Sequence, residues 1–202
     1  MTIIELDSTR ERSRARRLRA ATNERHDRLD HSIMDASPFA DRERYGRFVT
    51  VQYRFHREVD ALYADPALEH LLPDLGGRRR LRLIEQDLSD LGIDVPAAQD
   101  PPAFVAGRKL DLPAALGWLY VAEGSNLGAA FLLKEAAKLG LSEGFGARHL
   151  AAAPEGRGLQ WKTFTAALDA VPLADAEEDL AIAGANAAFA RVQALIRDVL
   201  VA

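Results

Sequence analysis

Between residues 112 and 139 the chain reads LPAALGWLYVAEGSNLGAAFLLKEAAKL, dominated by Ala, Leu, Glu and Lys. These are strong helix formers, and the run is long enough for about eight turns at 3.6 residues each. Inside it, besides Gly117, two glycines sit four residues apart, Gly124 and Gly128. An interior glycine costs roughly 1 kcal/mol relative to alanine, so two of them one turn apart need a compensating reason. At i and i+4 they share one face of the helix and bare a strip of backbone there. The residues allow two readings: a small-xxx-small contact with a neighbouring helix, or the close approach of a planar ligand.

The rest of the chain sets limits on those readings. With 202 residues, one domain over 1–202 is expected, with 1–7 flexible, and it is large enough to enclose a ligand. An apolar fraction of 48% and a charged fraction of 28% are those of an ordinary globular protein. A net charge of −4 argues against non-specific nucleic-acid binding. There are no cysteines, which excludes disulfides, thiolate metal ligands and a cysteine nucleophile. No basic start is followed by an apolar run, so no signal peptide is read. The longest nearly uncharged stretch, 112–122, is too short to span a bilayer. A cytoplasmic protein with no membrane or nucleic-acid partner is the expectation.

Helical periodicity dominates, and no strand pattern stands out. Helices are predicted over 8–34, 41–63, 67–72, 78–91 and 112–139, with two more starting near Gln160 and Ala176. The proline-bearing stretch 92–111 reads as a loop. Asp111 is the predicted N-cap of the long helix, with Pro113 in its first turn and Gly140 ending it. Asp175 with Glu178 resembles a capping box for the last helix. The fold class is all-α, a single multi-helix bundle.

In the first helix, Leu18, Thr22, His26, Leu29 and Ile33 fall at steps of three and four and form one stripe. His26 therefore shares a face with apolar side chains. As a metal ligand it would present one neutral ring nitrogen while the other N–H finds a partner. Asp30, one turn later, is placed to take that N–H. His56 is a rival near Phe48, Val49, Phe55 and Val59, and it too has an acid at i+4, Asp60, so the residues alone do not separate the two. His31, His70 and His149 lie in polar or terminal settings and are expected to face solvent. Most of the arginines Arg10, Arg12, Arg14, Arg16, Arg17, Arg19, Arg25 and Arg28 read as a solvated helix face. An acidic cofactor or electron-transfer partner would nevertheless be drawn to this side. Arg19, two turns before His26 on nearly the same face, is the natural partner for a carboxylate.

Taken together, ATNERHDRLD, LGWLYVAEGSNLGAAFLLKEA and WKTF resemble the bacterial heme oxygenases, in order, over residues 8–199. The resemblance implies a helical bundle with heme b held between a proximal and a distal helix. It makes His26 the proximal iron ligand and Gly124, Ser125 and Gly128 the distal catalytic face, with room for O2. Ser125 stands where some members carry a distal Asp that anchors ordered water, so that network must be built differently here. Arg19 and Tyr120 match positions that face the propionates in α-selective members. Lys162 is a weaker propionate candidate, and Phe189 is expected to pack near heme. A branch that opens other meso positions carries lysines where this chain has Met34 and Glu135. The implied reaction is opening of heme to biliverdin IXα, Fe2+ and CO. It requires O2 and an external electron donor: a ferredoxin, a flavodoxin or an NAD(P)H-dependent reductase. Two other classes use the same residues: a heme carrier that does not degrade its cargo, and a helical interaction module. A thiamin-degrading hydrolase on this fold would need the cysteine that is missing.

Overall fold

The computed structural model describes residues 13–98 and 100–201. The first helix, α1, spans Arg14–Asp35. It begins where the Ser13 hydroxyl accepts the free Arg16 N–H at 3.3 Å. Residues 8–12 of the predicted helix lie outside the described residues. Asp41 caps α2, Arg42–Val59, by accepting from Arg44 N at 2.8 Å. That helix then tightens into a 3-10 turn over Asp60–Ala64, so the expected end near Tyr63 is reached by a different winding. Asp65 caps the short α3, Pro66–Leu71, whose proline occupies the first turn where no N–H is needed. Leu81–Asp90 forms α4. No regular helix or strand interrupts 92–111 among the described residues.

The long helix, α5, spans Leu112–Lys138. Asp111 accepts from Ala114 N at 3.2 Å, as its spacing predicts. Beyond the helix, Gly140 takes a left-handed φ of 75°, which only glycine adopts without strain. After an irregular connection with one 3-10 turn, Arg148–Leu150, come α6, Arg157–Ala170, and α7, Asp175–Ile196. The cap of α7 differs from the predicted one. Its N-cap is Ala174, and Glu177 rather than Glu178 reaches back to accept the Ala174 N–H at 2.8 Å. Glu178 is freed for another purpose.

That purpose is to hold α1. Arg14 is buried, donating from Nε and Nη2 to the two carboxylate oxygens of Glu178 at 3.0 and 2.8 Å. It also donates to the Leu168 and Val171 carbonyls at the end of α6. Arg17 adds a second cation on Glu178 at 2.9 Å. Arg14 thus departs from the solvated face read for the arginine run. At the far end of α1, Gln193 of α7 donates to Ser32 Oγ at 2.8 Å. Residues 14 and 32 pair with 178 and 193, so α1 and α7 run parallel, side by side.

On its other side α7 carries α5, in the most extensive packing of the molecule. The crossing is built on glycine. A Cβ on Gly117 would lie 2.1 Å from the Ala181 carbonyl oxygen, and one on Gly184 would lie 2.5 Å from that of Ala114. Backbone meets backbone there, and Leu116, Leu119, Phe164, Leu168 and Ala185 seal the core around it. The small-residue helix contact therefore exists, but at Gly117 and Gly184 and not at Gly124 and Gly128. A second core of Tyr45, Phe48, Ile84, Leu88 and Leu150 joins α2 to α4 and the 148–150 turn. Helices α1 and α5 share α7 as a spine and touch each other only sparingly.

Candidate active site

The bare strip of α5 opens outward. Nothing lies within 4 Å of a Cβ built on Gly128, and one built on Gly124 would meet only the Trp161 ring, at 3.6 Å. Leu127 and Phe131 fall on the same side of the helix, and they are 44% and 51% exposed. Large apolar side chains left uncovered beside a glycine strip mark a surface that another body is meant to cover. The helix backbone is also eased here. Ser125 donates its hydroxyl proton back to the Ala122 carbonyl at 2.7 Å, a bond that favours bending. The Ser125 side chain therefore has lone pairs to offer but no free proton.

On α1, Leu18 and Thr22 of the predicted stripe are buried, and Leu29 and Ile33 are half-buried. His26 is different: its ring is 58% exposed. The stripe leaves the core at this residue, because α1 rests on α7 and not on α5, and the ring edge meets Phe189 with centroids 6.1 Å apart. Asp30 Oδ2 lies 3.3 Å from His26 Nδ1, the partner its spacing predicts. With Nδ1 on the side of a carboxylate, Nε2 is the ring nitrogen left to offer a metal. His56 offers no such ligand. It is buried, and burial with the nearby Arg80 and His149 charges pushes its pKa down to about 3.

Arg19 and Tyr120 are brought together. Burial raises the Tyr120 phenol pKa, and the Arg19 guanidinium is near enough to pull it the other way. Tyr120 also packs on Trp161, with centroids 5.5 Å apart. An exposed arginine within electrostatic reach of a tyrosine suits an acid-bearing ligand. Lys162 is exposed on α6, whereas its neighbour Trp161 covers Gly124. Met34 is 49% exposed, and Glu135 is paired with Lys138 at 2.7 Å.

Behind the strip lies a buried polar cluster that sequence reasoning missed. Glu123, immediately before Gly124, accepts from Tyr63 Oη at 2.8 Å and Arg78 Nη1 at 3.1 Å. Burial raises the Glu123 pKa against the pull of these two donors. Arg157 donates to the Asn126 carbonyl at 3.0 Å, pinning the next turn. His149, expected at the surface, is buried, with Nδ1 2.7 Å from Asp87 Oδ2. Its partners are far away in sequence, so its polar neighbours misled. An open cavity of about 520 Å³ also lies between α1 and α7, lined by Arg25, Arg28, His31, Phe189 and Gln193. Its lining includes neither Gly124 nor Gly128.

A helical bundle that presents His26 on one helix and a bared glycine strip on another is suited to handling a flat ligand such as heme. The heme oxygenase family profile matches residues 12–198. The heme oxygenase PigA of Pseudomonas aeruginosa is 47% identical over 185 residues, spanning 92% of each chain. The NO- and CO-bound heme oxygenase of Neisseria meningitidis superposes with a TM-score of 0.86 at 40% identity, covering 93% of this chain and 92% of that one. The heme oxygenase of Leptospira interrogans shares the fold, with a TM-score of 0.74 at 20% identity over 92% of this chain and 99% of that one. The chain belongs to the heme oxygenase family, and it is a heme-degrading oxidoreductase. No helix among the described residues is long and apolar enough to cross a membrane.

Proposed function

We propose that the substrate, heme b, would lie in a slot between α1 and α5 with His26 Nε2 holding its iron, and be opened at the α-meso carbon to biliverdin IXα, Fe2+ and CO. One observation carries the reading. An exposed imidazole on α1, with Asp30 Oδ2 3.3 Å from its Nδ1, and an uncovered apolar face on α5 belong to two helices seated on the same α7. A flat apolar macrocycle would cover Leu127, Phe131 and the backbone at Gly128, and Phe189 would pack at its edge. Bound iron supplies the site that activates O2, and electrons arrive from a ferredoxin, flavodoxin or NAD(P)H-dependent reductase in the cytoplasm.

The residues of this chain do three things for that reaction. Asp30 fixes the tautomer and direction of His26. The glycine strip brings no ligating side chain to the distal side, and backbone groups and water near Gly124 and Ser125 supply the hydrogen bonds there. Arg19 and Tyr120 take the propionates and so set the in-plane rotation, with Lys162 as an outlying cation. Met34 and Glu135 offer no competing lysine, which supports the α regiochemistry.

Hemin titration followed by ascorbate or a reductase under air tests the reading. A Soret band that gives way to biliverdin absorption, and is lost in His26→Ala, supports it, and chromatography of the pigment should return the IXα isomer. A Soret band that never bleaches would make the chain a carrier. No band would leave the glycine strip without a ligand.

A further inference from the structure

Phe189 has two neighbours. Its ring edge meets His26, with centroids 6.1 Å apart, and it also forms part of the wall of the open cavity between α1 and α7. That cavity is cationic: Arg25, Arg28, His31, Gln193 and Arg197 line it, and no carboxylate does. Arg25 and Arg197 are exposed, and their side chains make no hydrogen bond or ion pair among the described residues. Arg28 shares its charge with Glu24, at 3.1 Å. Guanidiniums gathered around one cavity repel each other, and an anion bound there relieves that repulsion.

Size and the remaining polar atoms narrow the anion. A volume of about 520 Å³ falls within the roughly 300–1,000 Å³ of small-molecule sites. A water takes about 30 Å³ of the liquid, so an inorganic oxyanion would leave most of the cavity to solvent. The walls also offer acceptors. His31 Nδ1 lies 2.6 Å from the Asp27 carbonyl oxygen. A carbonyl only accepts, so Nδ1 carries the proton, and in the neutral ring Nε2 is a lone pair. Gln193 spends its amide N–H on Ser32 Oγ at 2.8 Å, and its amide oxygen has no partner among the described residues. A fitting occupant therefore brings carboxylates for the arginines, N–H donors for His31 and Gln193, and an apolar body for Phe189. Heme has the carboxylates, but its four ring nitrogens are committed to iron. The opened ring keeps those carboxylates and regains N–H groups once the iron has left.

We propose that the cavity between α1 and α7 is a second binding site, taking the open-chain, iron-free tetrapyrrole that the reaction produces. Arg25 and Arg197 hold its two carboxylates, Gln193 and His31 accept from its N–H groups, and Phe189 is the wall shared with His26. Ring opening ends the ligand's tie to that histidine but leaves its negative charge, so a cationic cavity reached past Phe189 suits the product. Because the lining is separate from Gly124 and Gly128, product and a fresh substrate can be held at once. The identity of the occupant rests on the heme oxygenase reading; the preference of the cavity for an anion does not.

Equilibrium dialysis of biliverdin against protein saturated with ferric hemin, in the absence of reductant, tests the site. One equivalent of biliverdin should bind the hemin-loaded protein. Arg25→Gln combined with Arg197→Gln should weaken that binding by about tenfold or more and leave hemin affinity within about twofold of wild type. Both side chains are exposed, so the fold does not depend on them. Ala190→Trp fills the cavity, keeps every charge and should abolish the binding as well. Biliverdin dimethyl ester, which lacks the carboxylates, should not bind, and millimolar inorganic phosphate should not displace the pigment. Absence of a second equivalent, equal binding by the variants or by the ester, or displacement by phosphate would overturn the site. A wild-type protein that leaves hemin intact under reductant and air would instead sink the oxygenase reading, and the dialysis, run without reductant, stands apart from that result.

Discussion

A methyl group placed on Gly117 meets the Ala181 carbonyl oxygen at 2.1 Å, whereas one placed on Gly128 meets nothing within 4 Å. Alanine at these two positions should therefore act in opposite directions. Gly117→Ala forces two backbones apart and should destabilise the ligand-free protein by about 3 kcal/mol or more. Gly128→Ala removes a helix-breaking residue at no steric cost and should stabilise it by up to about 1 kcal/mol, while weakening hemin binding by intruding on the slot. Urea midpoints for the two variants, with hemin titration of the second, check both signs. The sequence made Gly124 and Gly128 conspicuous because they interrupt a good helix. It could not show which glycines bear the helix contact, since the partners of Gly117 lie more than 60 residues away, on α7. Arg14 and His149 were misread for the same reason. Glu178 is 164 positions from Arg14 and Asp87 is 62 from His149, and no local pattern announces a pairing at that range.

Among the elements, α1 is tied down at its first turn by a buried ion pair. Its first turn is tied to α6 and α7 by Arg14 through Glu178 and two carbonyls. Replacing Glu178 with Gln leaves the Arg14 charge buried without its counter-ion and should cost about 3–5 kcal/mol. Amide exchange should quicken in the first turns of α1 and α7 before it does in α5. The exposed Arg28–Glu24 pair on the same helix, with both side chains more than 70% exposed, is the control. Glu24→Gln should change stability by no more than about 0.5 kcal/mol. Helix existence and most caps were legible in the sequence because they depend on residues within one turn, as with Asp111 and Ala114. The purpose of Glu178 was not, because a cap and an interhelical clamp make the same local demand for a carboxylate.

At the scale of the molecule, the two buried histidines tie stability to pH. The His56 pKa is pushed down to about 3 by burial, then by Arg80 and His149, and that of His149 is lowered chiefly by burial. Both are neutral in the fold and free to charge in the unfolded chain. The His56 contribution is complete above about pH 6.5 and is lost as pH falls toward 3, and that of His149 is lost in the same direction below the ordinary histidine range. Each adds a slope of about 1.4 kcal/mol per pH unit within its own window. The depressed Asp87 pKa adds a loss of the same sign at lower pH. Urea midpoints measured down a pH series should fall steeply below neutrality, and His56→Gln should flatten that slope by about one proton. A last consequence comes from the crossing of α5 on α7. The slot has two walls that barely touch, so its width is metered by how deeply each wall seats on the spine, and Gly117 and Gly184 set that depth for α5. They work as a gauge block: a remote shim of one carbon would reset the clearance over the whole slot while leaving every residue that lines it unchanged.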